Sequence, residues 1–267
     1  MKAFNLAVIG KDVSKSLSPE MHSFIAEKLG YKIDYKKISV PEDRFEEEVD
    51  SLFENLDGFN VTIPYKLTII NHLNKICGDA LSFGAVNTVK SKERLGYNTD
   101  GLGFSLMLEN GGVEVNGKKV LLLGAGGAGR SAAKKLSDAG ALVYIYDVNR
   151  ENSRKVAGEF KGVALDAVKP NDYYLIVNAT GIGMHKTEGI SPVGEDILKS
   201  CSVAVDLIYT PEKSAFLSLA EELGKKIING SAMLFYQAYF AACIYFGREA
   251  NASEAKKLFE EYKERTK

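Results

Sequence analysis

Short apolar runs alternate with amphipathic segments along the chain. The apolar runs end at glycine, proline or polar residues, and this pattern is typical of strands. They cover residues 4–9, 35–38, 58–63, 85–89, 92–97, 120–123, 142–146, 173–178, 202–206 and 226–228. Helices are predicted from Ser18, which is expected as an N-cap, near Pro41, from Thr99, after the glycines around residue 126, and over residues 231–246 and 253–262. Such repeated strand–helix cycles predict an α/β fold with right-handed crossovers.

Composition excludes several classes of protein. The 267 residues are 45% hydrophobic with a formal net charge of -1, so neither nucleic acid nor a membrane surface is an expected partner. The three cysteines and three histidines are widely scattered, which predicts neither a disulfide framework nor a metal site. No signal peptide and no apolar run of about 18 residues is found. We therefore expect a cytoplasmic protein. Its expected oligomeric state is a monomer or a homodimer.

One glycine-rich segment predicts a binding function. Gly124-Ala125-Gly126-Gly127-Ala128-Gly129 lies between a predicted strand and a predicted helix. In that context the three spaced glycines allow a tight turn, close approach of a pyrophosphate, and close packing of helix on strand. The N-terminus of the helix offers unpaired N–H groups to the phosphates. We therefore expect a dinucleotide-binding oxidoreductase with these six residues in the cofactor site.

Two residues bear on the choice between NAD and NADP. Asp147 ends the strand that follows the glycine helix, close to the spacing at which an acid meets the adenosine ribose, and this favours NAD. Arg150 follows three residues later and could pair with the 2′-phosphate of NADP. The residues leave both cofactors open.

Hydride transfer also needs a group that moves a proton. Tyr209 and Lys213 have the spacing of a Tyr-x-x-x-Lys pair, but Pro211 between them argues for a loop, where the two would not share a face. Lys66 follows a strand and a proline turn, and Asp100 opens a helix whose N-terminus favours an ionised acid. A lysine held by such an acid could donate a proton to a carbonyl that is being reduced.

Several segments resemble the shikimate dehydrogenases, and the match covers nearly the whole chain. Ser14-Lys15-Ser16-Leu17-Ser18-Pro19-Glu20-Met21-His22 resembles their Ser-x-Ser-Pro-x-x-His signature, and Asn60-Val61-Thr62-Ile63-Pro64-Tyr65-Lys66 resembles Asn-Val-Thr-x-Pro-x-Lys. The further segments, in the family's order, are residues 84–88, 98–101, the glycine turn, 178–184, 206–211 and 230–238.

The resemblance implies reversible NAD(P)-dependent reduction of 3-dehydroshikimate to shikimate in aromatic amino acid biosynthesis. It implies that Lys66 and Asp100 are the catalytic pair. The implied substrate contacts are Ser16, Ser18, Asn60, Thr62, Asn87, Tyr209 and Gln237. The expected cofactor contacts are the glycine turn, Asp147 and Arg150, as argued above, together with Thr180, Gly230 and Met233.

The family resemblance also implies two domains. Residues 1–100 with 237–267 are expected to form an α/β substrate domain, and residues 101–236 a Rossmann-type dinucleotide domain, with the active site in the cleft between them. The family's NADP-dependent members usually carry Asn-Arg-Thr where Asp147-Val148-Asn149 stands, so NAD or dual use is also expected. Two alternative functions are open: a quinate or dual quinate/shikimate dehydrogenase, and a metabolite sensor without catalytic activity.

Overall fold

The computed structural model describes residues 3–266, and these contain twelve strands and ten α-helices. The strands are β1 (Phe4–Gly10), β2 (Ile33–Ser39), β3 (Gly58–Val61), β4 (Lys75–Ile76), β5 (Thr88–Lys90), β6 (Leu95–Tyr97), β7 (Lys119–Leu123), β8 (Leu142–Tyr146), β9 (Val163–Ala164), β10 (Leu175–Asn178), β11 (Val203–Asp206) and β12 (Lys226–Ile228). The helices are α1 (Ser18–Lys28), α2 (Phe45–Asn55), α3 (Asp79–Phe83), α4 (Asp100–Asn110), α5 (Gly127–Asp138), α6 (Arg150–Phe160), α7 (Glu195–Leu198), α8 (Ala215–Glu222), α9 (Ser231–Phe246) and α10 (Ala252–Arg265). Short 3-10 turns cover Glu42–Arg44, Thr68–His72 and His185–Thr187.

The chain divides into two compact units. The first comprises the described residues up to Gly103 together with those from Phe235 onwards, and the second is Phe104–Leu234. Within residues 3–266, no helix is both long enough and apolar enough to cross a bilayer.

The first unit is built on a mixed sheet with the strand order β2-β1-β3-β5-β6-β4. Strand β1 runs parallel to β2 and β3, whereas β5 is antiparallel to both β3 and β6. The register of β3 on β5 places Asn60 opposite Thr88. On one face the apolar side of α2 joins the core of this unit, with Phe53 packing edge-on against Phe59 of β3. Burial of that apolar surface is what holds the strand ends, and the polar residues on them, in place.

The second unit has a fully parallel sheet with the order β12-β11-β10-β7-β8-β9. Numbered from β7, this is the 3-2-1-4-5-6 order of the Rossmann fold. Strands β10 and β11 are buried at every position, as expected for a parallel sheet covered by helices on both faces. The order of the strands reverses between β7 and β10, and ligands of such sheets bind at that point, beyond the carboxyl ends of the strands. The predicted α/β class and the Rossmann type of the second half are confirmed.

The structure corrects some local predictions. Ser18 is expected as the N-cap of α1, but it is the first helical residue, and the cap position is occupied by Leu17, whose side chain makes no capping hydrogen bond. The hydroxyl of Ser18 instead pairs with that of Ser16. The strands expected at 85–89 and 92–97 are shorter and shifted, because residues 91–94 form the turn between them, with Arg94 at φ 48°. The sequence patterns did not predict β4, β9, α3, α6, α7 and α8. Of these, β4, β9, α3 and α7 are only two to five residues long, too short to show a period.

Candidate active site

Lys66 and Asp100 form an ion pair in the first unit. Lys66 lies in the loop after β3, and Asp100 is the first residue of α4. The Lys66 Nζ atom donates a hydrogen bond of 2.5 Å to Asp100 Oδ2, and the two side chains are 25% and 13% exposed. The N-terminus of α4 favours the ionised carboxylate. The ammonium is thus held at one place while part of it stays accessible to a ligand.

Asn87 fixes the other oxygen of that carboxylate. The Nδ2 group of Asn87 donates to Asp100 Oδ1 at 2.7 Å, and its Oδ1 accepts from the backbone N–H of Thr99 at 2.9 Å. Asn87 is only 3% exposed. Because the carboxylate is held at both oxygens, Asp100 cannot rotate away from the lysine without breaking a second hydrogen bond.

Asn60 lies in β3, the strand that precedes Lys66, and the protein bonds its side-chain amide at both ends. Its Nδ2 group donates to the carbonyl oxygen of Asn87 at 3.1 Å and to Thr88 Oγ1 at 3.2 Å. Its Oδ1 accepts from the hydroxyl of Tyr35 at 2.7 Å. Only a further lone pair on Oδ1 remains for a ligand, so Asn60 can contact one as an acceptor but not as a donor. Thr62, two residues on, is half-buried, and its hydroxyl donates to no atom of residues 3–266.

A pair of serine hydroxyls lies at the N-terminus of α1. Ser16 Oγ donates to Ser18 Oγ at 3.1 Å and accepts from the backbone N–H of Ser18 at 3.2 Å. Both residues are half-buried, and the first N–H groups of α1 add positive potential beside them. This pairing provides two hydroxyls at a position that suits a carboxylate.

Most of the predicted substrate contacts belong to the first unit. Gln237 is on α9 and is half-buried there. Tyr209 is the exception, since it lies in the second unit, in the loop after β11. Tyr209 is 37% exposed, and burial of its hydroxyl raises its pKa. The neighbouring Lys213 pairs with Glu221, and residues 209–213 form a loop, which agrees with discounting the Tyr-x-x-x-Lys pair.

The glycine turn in the second unit connects β7 to α5 and has room for a phosphate. Gly124 adopts φ 95°, which a residue with a side chain rarely adopts. A Cβ atom on Gly129 would lie 2.0 Å from the carbonyl oxygen of Gly124, so that position admits only glycine. A Cβ atom on Gly126 would meet nothing within 4 Å, because the space beside it is open. Helix α5 begins at Gly127 without a side-chain cap, so its first N–H groups can bind an anion.

A cavity of about 400 Å³ adjoins this turn. Its lining includes Gly124 and Gly126, Asp147 at the end of β8, and Thr180 after β10. It lies where the strand order reverses, and its wall includes the apolar residues Leu123, Val148 and Ile182. These residues fit a dinucleotide, which needs phosphate donors at the helix and an acceptor for ribose hydroxyls.

Asp147 is bonded to the turn itself. Its Oδ2 accepts from the N–H of Ala125 at 2.7 Å and its Oδ1 from the N–H of Asn149 at 2.8 Å. Arg150, the first residue of α6, is exposed, and its Nε atom lies 3.7 Å from Asp166 Oδ1. Asn149 caps α6 by accepting from the N–H of Glu151. An acid, rather than an arginine, therefore directly adjoins the glycine turn.

The sequence patterns assigned no role to a buried polar cluster at the carboxyl ends of β10 and β11. Asp206 is fully buried and accepts from Asn178 Nδ2 at 3.0 Å and from Ser214 Oγ. Burial raises the pKa of Asp206, against the hydrogen bonds that lower it. Asn178 Oδ1 in turn accepts from the hydroxyl of Thr180 at 2.6 Å. The signal was available, since a polar residue ends each of two otherwise apolar buried strands.

The two remaining predicted cofactor residues lie at the end of the second unit. Gly230 packs so closely that a Cβ atom would lie 2.3 Å from the carbonyl oxygen of Leu207. Met233, on α9, is 8% exposed. Gly230 therefore packs directly against Leu207, the first residue after β11.

A family model for the shikimate dehydrogenase substrate-binding domain matches residues 8–89, and a model for the alanine dehydrogenase/PNT C-terminal domain matches residues 101–209. The chain is 38% identical over 247 residues to the shikimate dehydrogenase (NADP(+)) of Carboxydothermus hydrogenoformans, covering 88% of each chain. The chain belongs to the shikimate dehydrogenase family. The predicted resemblance is confirmed.

Solved structures of the shikimate dehydrogenase family share the fold over nearly the full length. The Thermus thermophilus shikimate 5-dehydrogenase, solved with NADP(H) and shikimate, is 33% identical with a TM-score of 0.87, covering 96% of this chain and 98% of that one. The Listeria monocytogenes enzyme, solved with shikimate and NAD, is 28% identical with a TM-score of 0.83, covering 96% of each chain. Relatives with either dinucleotide therefore exist.

Proposed function

We propose that this protein is a shikimate dehydrogenase that interconverts 3-dehydroshikimate and shikimate with NADP or NAD. The observation that carries the proposal is the Lys66–Asp100 ion pair, held through Asn87 and surrounded by neutral hydrogen-bonding side chains. A small acid with several hydroxyls requires such groups. Family membership and the names of the relatives support the same activity.

The proposed chemistry assigns the proton to Lys66. In the direction of reduction, the Lys66 ammonium donates a proton to the ketone oxygen, and Asp100 keeps the amine oriented and stabilises its charge. In the reverse direction, the neutral amine accepts the proton of the hydroxyl. A bound nicotinamide dinucleotide supplies the matching hydride chemistry.

The other residues hold the substrate. Ser16 and Ser18, at the N-terminus of α1, are proposed to bind the carboxylate. Asn87, Thr62 and Gln237 are proposed to bind the hydroxyls or the carboxylate, with Tyr209 as a further contact. Asn60 is proposed to act as an acceptor only, because its amide donors are already bonded to Asn87 and Thr88.

The dinucleotide is proposed to bind through the glycine turn, Asp147, Thr180, Gly230 and Met233. Asp147 supports use of NAD, because a carboxylate accepts from the ribose hydroxyls and repels a 2′-phosphate. The exposed Arg150 supports NADP. We also expect a cytoplasmic location, because Cys77, Cys201 and Cys243 are all free thiols.

A steady-state assay tests the function. Reduction of NADP and of NAD is followed with shikimate and, separately, with quinate, which carries an extra hydroxyl and lacks the ring double bond. We expect the larger kcat/KM for shikimate. A larger value for quinate would make the protein a quinate dehydrogenase, and no reduction of either dinucleotide with either acid would leave it a binding protein.

A further inference from the structure

Tyr35 lies beside the proposed substrate residues and has no role in the chemistry described above. It is on β2, and its ring is half-buried. Its hydroxyl donates to Asn60 Oδ1 at 2.7 Å. Burial raises the pKa of Tyr35, and hydrogen bonding with Ser18 opposes this effect. Tyr35 thus adjoins both a proposed carboxylate contact and a proposed hydroxyl contact.

The hydrogen bond from Tyr35 completes the bonding of the Asn60 amide. The Nδ2 group already donates to the Asn87 carbonyl and to Thr88 Oγ1, so the Tyr35 hydroxyl is what holds the opposite end of the amide. Without it, Oδ1 would be a buried acceptor without a partner, and the side chain would be held at one end only.

From Asn60 the hydrogen bonds continue to the catalytic lysine. Thr88 Oγ1 donates to Asn87 Oδ1 at 2.8 Å, Asn87 Nδ2 donates to Asp100 Oδ1 at 2.7 Å, and Lys66 donates to Asp100 Oδ2. The unbroken series is Tyr35, Asn60, Thr88, Asn87, Asp100 and Lys66. Because each bond polarises and orients the next, a change at one end is transmitted to the other.

His22 holds the ring of Tyr35 from the other side. The two rings stack with centroids 4.6 Å apart and an angle of 19°. His22 is 1% exposed, and neither of its ring nitrogens has a hydrogen-bond partner of normal geometry within residues 3–266. The ring of Tyr245 packs next to the imidazole of His22, with the two ring centroids 6.1 Å apart. The imidazole thus acts on Tyr35 as a flat packing surface rather than through a hydrogen bond.

We propose that Tyr35, held by the stacked ring of His22, is a positioning residue that orients Asn60 for the substrate and steadies the series of hydrogen bonds that ends at Lys66. This inference rests on the proposed function. Tyr35 acts through Asn60, so its contribution should disappear when Asn60 is removed. It also belongs to the first unit, so it should leave the affinity for the dinucleotide unchanged.

The test is a double-mutant cycle on the full-length protein, using Tyr35→Phe, Asn60→Ala and the double variant. Tyr35→Phe keeps the ring and its stack on His22 and removes only the hydroxyl. We expect kcat/KM for shikimate to fall about tenfold, the size expected for one hydrogen bond in the site. KM for NADP should not change, and the double variant should match Asn60→Ala. Tyr31→Phe is the matched control, since the hydroxyl of Tyr31 donates to no atom in residues 3–266 while its ring stacks on Phe246.

The outcomes are separable. If the wild type does not oxidise shikimate, the proposed function fails and the inference fails with it. If the wild type is active and Tyr35→Phe matches it, only the inference is overturned. It is also overturned if the losses in Tyr35→Phe and Asn60→Ala multiply in the double variant, or if Tyr35→Phe raises KM for NADP as much as KM for shikimate. Thermal melting of all variants separates these results from a loss of folded protein.

Discussion

The carboxylate of Asp147 accepts a hydrogen bond from the backbone N–H of Ala125 at 2.7 Å, and so joins the end of β8 to the glycine turn after β7. Its other oxygen accepts from Asn149. An ionised carboxylate has about four lone-pair positions, so both oxygens keep capacity for ribose hydroxyls. The side chain of Asp147 is therefore suited both to holding the glycine turn and to accepting hydrogen bonds from the hydroxyls of the adenosine ribose.

Replacing Asp147 should change the choice of dinucleotide. In Asp147→Asn the negative charge that repels a 2′-phosphate is lost, and we expect the ratio of kcat/KM for NAD to that for NADP to fall by about tenfold, equivalent to ~1.4 kcal/mol. Steady-state kinetics with both dinucleotides measure the ratio. Asp138→Asn, on α5 in the same unit, removes one exposed acid and is the control. A wild type that strongly prefers NADP, with an unchanged ratio in Asp147→Asn, would contradict this role.

Local sequence patterns were sufficient for some elements and not for others. The glycine turn, β8, β12 and α9 could be placed because glycine chemistry and apolar runs act over a few residues. Lys66 and Asp100 could be named by family resemblance, but their 2.5 Å contact depends on how β3 and α4 pack.

The residues that support the site, Thr88 and Tyr35, could not be predicted, because their contacts also depend on how distant segments pack. Thr88 supports Asn60 only because β5 is antiparallel to β3 in a particular register. Tyr35 reaches Asn60 only because β2 and β3 flank β1. Strand order and register are decided by packing between distant segments, and no local periodicity encodes them. The error at Ser18 is similar, since its hydroxyl pairs with Ser16 rather than with the helix.

Lys66→Ala should abolish most turnover. The variant removes the proton donor and leaves Asp100 without its cation, and we expect kcat with shikimate to fall by at least ~100-fold, the lower range for losing general acid–base catalysis. Lys36→Ala, which removes an exposed lysine of β2 in the same unit, should retain full activity. Wild-type kcat in Lys66→Ala would eliminate the lysine as the proton donor.

Alanine substitution at two glycines of the turn should affect different properties, cofactor affinity at Gly126 and folding stability at Gly129. In Gly126→Ala the new methyl group enters open space, so the free energy of unfolding should stay within ~0.5 kcal/mol of the wild type. It would occupy the room for the pyrophosphate, however, and the Kd for NADP should rise at least ~10-fold.

In Gly129→Ala the methyl group would collide with the carbonyl oxygen of Gly124, and we expect a loss of about 1–3 kcal/mol of stability. Urea unfolding and calorimetric titration with NADP measure both effects. Gly158→Ala, an uncrowded glycine in α6, is the control for the substitution itself. Normal NADP affinity in Gly126→Ala would place the phosphates elsewhere.

His22 should make stability depend on pH in the acid range. Burial lowers the pKa of His22 to about 3, with a smaller opposing effect of Asn60, whereas the unfolded chain has the ordinary value of 6.5. Between these values the unfolded state binds the extra proton, so the stabilisation is complete above pH 6.5 and is lost as the pH falls towards 3. Between pH 7 and pH 5 this linkage amounts to about 2 kcal/mol.

When the pH is lowered from 7 to 5, the free energy of unfolding of His22→Phe should therefore fall by about 2 kcal/mol less than that of the wild type. This difference does not depend on the stability of the variant at pH 7. Urea unfolding at the two pH values gives the difference, and any cost of fitting the larger ring cancels because it is present at both. His185→Asn, at an exposed position, controls for the loss of a histidine. If the wild type and His22→Phe lose the same stability on acidification, His22 is not held neutral beneath Tyr35, and it would have to bind a proton within the folded protein.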